Sequence, residues 1–286
     1  LELPANLLFV IGAIFFILLL LKVLLTFGDV IRELHNPIIA SVAPTFTMGT
    51  MVISSVLMMH HTAIVLAYTM WSLAVVVQFM LIGFFIVTHI VKATVTLQSV
   101  FPSWFVTFVG IGMMPLTAPD FAKPYTIGIL YAALAMLVLL LPLVLKRVFV
   151  VRDLPIPTKP LITILAAPAS LCLTAYLNVV EAPNTMLVTI LLVLAQVLYF
   201  IVLYELQTLI KMPFYPSFGA FTFPLAVSAT ALYSAYNAIG NGAQWMEMLI
   251  YFETIIATAV VCYVVVVYSK YLLMHMYKKM ASQTAK

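Results

Sequence analysis

Charge is what this chain lacks most. Only 8% of its 286 residues are Asp, Glu, Lys or Arg, where a soluble globular domain carries roughly a quarter, so it cannot furnish an ordinary water-facing surface. Cysteine is nearly absent too. Cys172 and Cys262 lie deep inside apolar runs, far from any CxxC or Cys/His spacing, which argues against a disulfide or a metal site and leaves both as small apolar packers. No nucleophile and base pair, Walker loop, HExxH or GxGxxG stands out. An enzymatic reading therefore has no residues to rest on, and no catalytic residue, metal or cofactor is expected.

What the chain has instead is apolar length. It is 65% hydrophobic with a mean hydropathy of +1.20, and runs long enough to cross a bilayer, about 20 residues each, recur from end to end. No polar stretch could fold as a separate soluble domain, so residues 1–286 read as one polytopic transmembrane domain. The continuous apolar character means helices, since a barrel would show short alternating strands. The first run, Leu7 to Leu25, is longer than a signal-peptide core and has no basic leader, which makes it a true span. Because the chain opens at Leu1 rather than Met, the natural N-terminus is expected upstream.

Polar, proline and glycine punctuation divides the chain into nine expected spans: about 5–27, 37–59, 63–92, 101–118, 124–149, 159–179, 184–210, 215–239 and 245–275. Nine spans place successive loops on alternate sides. Lys22, Arg32, Lys92, Lys146, Arg147, Arg152, Lys159, Lys211, Lys270, Lys278, Lys279 and Lys286 then share one side, and Lys123 alone falls on the other. Basic residues concentrate on the cytoplasmic side, so the C-terminus is expected there, in the plasma membrane, with Leu1 facing outward. The net charge of +4 reports orientation and does not imply nucleic acid.

Four spans run outward from the cytoplasmic side, and they repeat. They open PIIASVAPTFTMGT from Pro37, PSWFVTFVGIGMMPLT from Pro102, PLITILAAPASLCLT from Pro160 and PSFGAFTFPLAVSAT from Pro216. A second helix breaker follows seven or eight residues later, namely Pro44, Gly110, Pro168 and Pro224. The starts are 65, 58 and 56 residues apart, so the repeating unit is a helical hairpin. Interior proline frees a carbonyl and kinks the helix, which a membrane tolerates when the freed group is buried in protein or lines a wet cavity. Broken helices therefore belong inside and unbroken ones outside. Leu7 to Leu25 is of the unbroken class and has no broken partner before it, so four and a half hairpins resemble a five-hairpin protein without its first inner helix.

Residues Gly219 to Tyr233, GAFTFPLAVSATALY, together with Ala166 to Asn178, AAPASLCLTAYLN, and Phe101 to Phe105, FPSWF, resemble the ninth, seventh and fifth helices of the tellurite-resistance/dicarboxylate transporter family. That family includes bacterial TehA proteins, yeast malate and sulfite permeases and plant guard-cell slow anion channels. The resemblance implies an all-α polytopic membrane protein. Ten helices, nine of them present here, would form hairpins in a quasi-fivefold arrangement around a central anion pore, usually as a homotrimer. It also implies a gating phenylalanine just before the ninth-helix breaker, which is Phe223.

Setting the four breakers in register puts Ala43, Val109, Ala167 and Phe223 at one level, so one bulky ring faces three smaller residues. Seven residues on, the register gives Thr50, Leu116, Thr174 and Thr230, whose hydroxyls could donate to a partly dehydrated anion without holding it too tightly. Thr47, Gly219 and Val227 complete the candidate lining. Each signal has a plainer counterpart: Phe223 as ordinary packing, and the threonines bonding their own helix four residues back. None of the four inner spans carries a charge between its flanking residues, which favours passive conduction of a small inorganic or organic anion over proton coupling.

The competing reading is a proton-coupled carrier of small organic anions such as C4-dicarboxylates, or of sulfite. Its candidates are Glu205 and Glu253, both in unbroken spans; a third reading is a non-transporting membrane scaffold. Lys92 and Lys270 read as snorkelling to the interface. His60 and His61, at a tight outward turn, read as interfacial polar residues; His35 and His275 are expected near the cytoplasmic membrane edge and His89 near the cytoplasmic end of its helix.

Overall fold

A computed structural model of the chain describes residues 2–59, 63–239 and 242–284, with the side chains of 2–8 and 275–284 outside the description. His60, His61 and the side chain of His275 thus lie outside the described residues. Every regular element described is helical.

The first unit comprises residues 1–147 with 178–181. Helix α1 (Glu2–Leu25) bends by 97° into the short α2 (Phe27–Glu33), and Lys22 on α1 pairs with Glu33 on α2 at 2.7 Å. The next span, Pro37–Met59, is α3 (Pro37–Val42) followed by α4 (Pro44–Met59). Asn36 starts α3 by accepting hydrogen bonds from the backbone N–H groups of Ile38 and Ile39, and Pro37 stands at a position where no N–H is needed. Helix α5 (Ile64–Phe85) continues into a wider π-type turn, Ile86–Val91. After a loop come α6 (Trp104–Phe108), a single tight 3-10 turn (Gly110–Gly112) and α7 (Met113–Thr117), then the long α8 (Lys123–Leu145).

The second unit comprises residues 148–177 with 182–286. It opens with a 3-10 segment, Ile156–Ala166, which becomes α9 (Ala167–Val179). Helix α10 (Thr185–Leu209) is capped by Asn184. A second 3-10 segment, Pro216–Phe221, leads into α11 (Thr222–Ile239), and α12 (Gln244–Thr284) ends the chain.

Among the described residues seven helices are long and apolar enough to cross a membrane, or eight if the bent α1–α2 pair is one span. The expected spans 37–59, 63–92, 124–149, 159–179, 184–210, 215–239 and 245–275 each coincide with one of the seven to within a few residues. The expected span 101–118 does not form one membrane-length helix. Gly110, Gly112 and Pro115 interrupt it, and the chain answers with two five-residue α-helices joined by a 3-10 turn.

The spans differ in burial, though not wholly by class, since the most apolar stretch of the broken Pro37–Met59 is 33% buried and that of the unbroken Thr185–Leu209 39%. In Ile156–Val179, 94% of the most apolar stretch is buried, against 17% in Ile64–Val91 and 22% in Gln244–Met274. The exposed faces of α5 and α12 carry Leu73, Met80, Ile255 and Val266, side chains suited to hydrocarbon. Nearly every residue from Phe101 to Ala118 is buried.

Candidate functional site

The inner segments owe their form to proline. Pro157 and Pro160 each lack the N–H that an α-helical turn would use, and the chain there winds as a 3-10 helix for 11 residues, an unusual length for that form. Pro216 opens a second 3-10 segment, Pro216–Phe221, before α11. Each α-helical half then begins at its breaker. Pro44 is the first residue of α4, Pro168 the second of α9 and Pro224 the third of α11. The sequence suggested prolines interior to helices; the structure puts them in the first turn of a new one, where the missing N–H costs least. Gly110 opens the 3-10 turn between α6 and α7.

The residues before the breakers accordingly sit at or next to breaks in the helical winding. Ala43 directly follows α3 as its C-cap, Val109 does the same after α6, Ala167 begins α9 and Phe223 is the second residue of α11. Val109 and Ala167 are buried, while Ala43 and Phe223 are half-buried.

In the second unit the two 3-10 segments run side by side in the same direction. Ser217 Oγ donates to the Pro157 carbonyl at 2.6 Å. Six residues further along, Thr163 Oγ1 lies 2.7 Å from the Ala220 carbonyl, with its own-helix acceptor Pro160 at 2.8 Å. Ala220 is the residue whose carbonyl Pro224, four positions on, cannot serve. The group freed by proline is therefore taken by a hydroxyl from the neighbouring inner segment. The first unit has a similar tie, in which Ser41 Oγ meets Ser103 Oγ at 2.6 Å and Thr107 Oγ1 donates to the Ser41 carbonyl at 2.9 Å. Ser41, Ser103, Thr107, Thr163 and Ser217 escaped the sequence reading. Their signal was small hydroxyl residues a few positions before each breaker.

Thr47 is buried and donates to the carboxamide oxygen of Gln78 on α5, which is itself fully buried. A Cβ at Gly110 would stand 3.0 Å from Met48 Sδ and 3.8 Å from Gln78 Nε2, so the glycine permits this close approach. Thr50, Thr174 and Thr230 donate to the carbonyls of Phe46, Ser170 and Ala226 at 2.9, 2.8 and 3.0 Å. Thr174 is buried, Thr50 half-buried and Thr230 exposed; Val227 is buried and Gly219 exposed.

Of the two glutamates, Glu205 is half-buried, whereas Glu253 on α12 is wholly inaccessible. Lys92 and Lys270 are exposed. His35 and His89 bond the carbonyls of Ile31 and Leu34 at 2.9 and 3.0 Å. Both cysteines are free thiols, Cys172 buried and Cys262 exposed. Among the described residues no group of His, Cys, Asp and Glu could hold a metal.

The profile of the family described as voltage-dependent anion channel matches residues 1–272. The chain belongs to this anion-channel family. A protein of Methanocaldococcus jannaschii described as an uncharacterized transporter is similar to it, 22% identical over 270 aligned residues that span 80% of this chain and 76% of that protein. Membership makes the chain a multi-span membrane protein of channel or transporter type, with the lipid bilayer and an anion as its partners.

Proposed function

We propose that the chain conducts small anions across the plasma membrane through a narrow, neutral path that Phe223 occludes. Ala43, Thr47, Thr50, Val109, Ala167, Thr174, Gly219, Val227 and Thr230 are its candidate lining. Both units act as parts of one transmembrane domain, with the hairpins arranged quasi-fivefold about the path and the C-terminus in the cytoplasm. One observation carries this reading: the residue before each breaker stands at or next to a break in the helical winding, and only at Phe223 is it large. A ring at such a junction can swing by a local change of winding while the two helical halves stay in place.

The test is current. Phe223→Ala in planar bilayers is expected to raise anion conductance by about tenfold or more, equivalent to removing ~1.4 kcal/mol from the barrier. Phe223→Leu should fall between. Unchanged conductance in a folded variant would rule Phe223 out as the gate.

A homotrimer, in keeping with the family resemblance, is the proposed assembly, and native mass spectrometry of the solubilised protein should return three times the chain mass. The competing reading, a proton-coupled carrier of dicarboxylates or other organic anions, is favoured by Glu253 alone, a buried carboxyl next to the helix that bears Phe223.

A further inference from the structure

Among the described residues nine buried side-chain polar atoms make no hydrogen bond of normal geometry, and six of them belong to Gln196, Tyr199, Ser228 and Glu253. These four residues come from three consecutive helices of the second unit. Gln196 and Tyr199 are one turn apart on α10, Ser228 is on α11 and Glu253 on α12. Tyr199, Ser228 and Glu253 are each 0% exposed. The carboxyl lies beside the Gln196 amide, the Ser228 hydroxyl and Tyr199. No ion pair found among the described residues reaches Glu253.

We propose that Glu253, enclosed by Gln196, Ser228 and Tyr199, is a reversible proton-binding site. An isolated carboxylate buried away from water and without a counter-charge is costly by several kcal/mol, and taking up a proton removes that cost. The neighbours suit both forms. A neutral acid donates one hydrogen bond and accepts others, a carboxylate only accepts, and an amide and two hydroxyls can each turn to offer a donor or an acceptor. A site built to stay neutral would need no such versatility. Tyr199 is the titratable group facing Glu253 from α10, and α11 contributes Ser228, which is uncharged.

Ser228 lies five residues beyond Phe223 on α11, so proton release at Glu253, which calls the Ser228 hydroxyl round as a donor, acts on the helix that carries the proposed gate. This consequence for flux rests on the proposed function; the proton site itself does not.

The test uses the full chain in phosphatidylcholine vesicles. Infrared difference spectra across a pH step should show the carbonyl stretch of a buried carboxylic acid appearing on acidification. The band should be lost in Glu253→Gln, kept in Glu205→Gln and shifted in Glu253→Asp, a variant that retains an acid if glutamine prevents folding. Absence of the band in wild type, its survival in Glu253→Gln, or its removal by sodium at constant pH, which would mark a metal-cation site, overturns the proposal. In chloride efflux from the same vesicles, Glu253→Gln, which mimics the protonated form, should hold the flux at the acid value of wild type at every pH. A wild type that shows the band but passes no anion at any pH defeats the conduction reading and leaves the proton site standing. A pH profile of flux unchanged in Glu253→Gln defeats the link to α11.

Discussion

At the scale of single residues, three of the four threonines of the candidate path are turned inward on their own helices. Thr50, Thr174 and Thr230 each spend their one hydroxyl proton on the carbonyl four residues back, a bond that threonine readily makes in apolar surroundings. As they stand they present a methyl and lone pairs to a neighbour, so an anion gains a donor from them only when χ1 turns. Phe223 needs no such rearrangement to act by bulk. That is why the conductance prediction rests on Phe223→Ala and not on the hydroxyl level.

At the scale of elements, proline dictates the winding of the inner segments and hydroxyls repair it. Thr163→Val would take the hydroxyl donor from the half-buried Ala220 carbonyl, already without its i+4 donor, at a cost of about 0.5–1.5 kcal/mol. Thr163→Ser keeps the hydroxyl and should cost much less. Thermal unfolding in detergent reads the difference, and equal stability of the two variants would show that the Thr163–Ala220 contact is not needed.

How far the elements were legible follows from the same residues. Long apolar runs such as Thr185–Leu209 show themselves because length and hydropathy suffice. The breakers showed themselves because proline and glycine act locally. What proline does next was not legible: the same residue can kink a helix or start one, and Pro168 and Pro224 start one because 3-10 turns lead into them. The failure of 101–118 to form one helix has the same origin, since two glycines and a proline within six residues outweigh apolar character. Neither the Thr47–Gln78 bond nor the company of Glu253 could be read, because each joins residues from different helices and leaves no spacing in the sequence.

At the scale of the whole molecule, sidedness is the property most open to test. Among the described residues 101–118 holds no helix of membrane length, yet it must cross if the basic residues before and after it are to share a side. Lys92 and Lys211 are exposed, and a membrane-impermeant amine reagent should modify them from the cytoplasmic face only, with Lys123 reacting from the opposite face. Labelling of Lys92 and Lys211 from opposite faces would mean that an odd number of crossings separates them, and the hairpin count would have to be redrawn.

The 3-10 segment Ile156–Ala166 also bears on reach. A 3-10 helix rises about 2.0 Å per residue and an α-helix about 1.5 Å, so these 11 residues cover ~22 Å where an α-helix would cover ~17 Å. The difference, ~5 Å, is close to one α-helical turn. Rewinding this stretch would draw α9 lengthwise by that amount without breaking the chain into separate helices, a stroke stored in the pitch of the backbone rather than in a hinge.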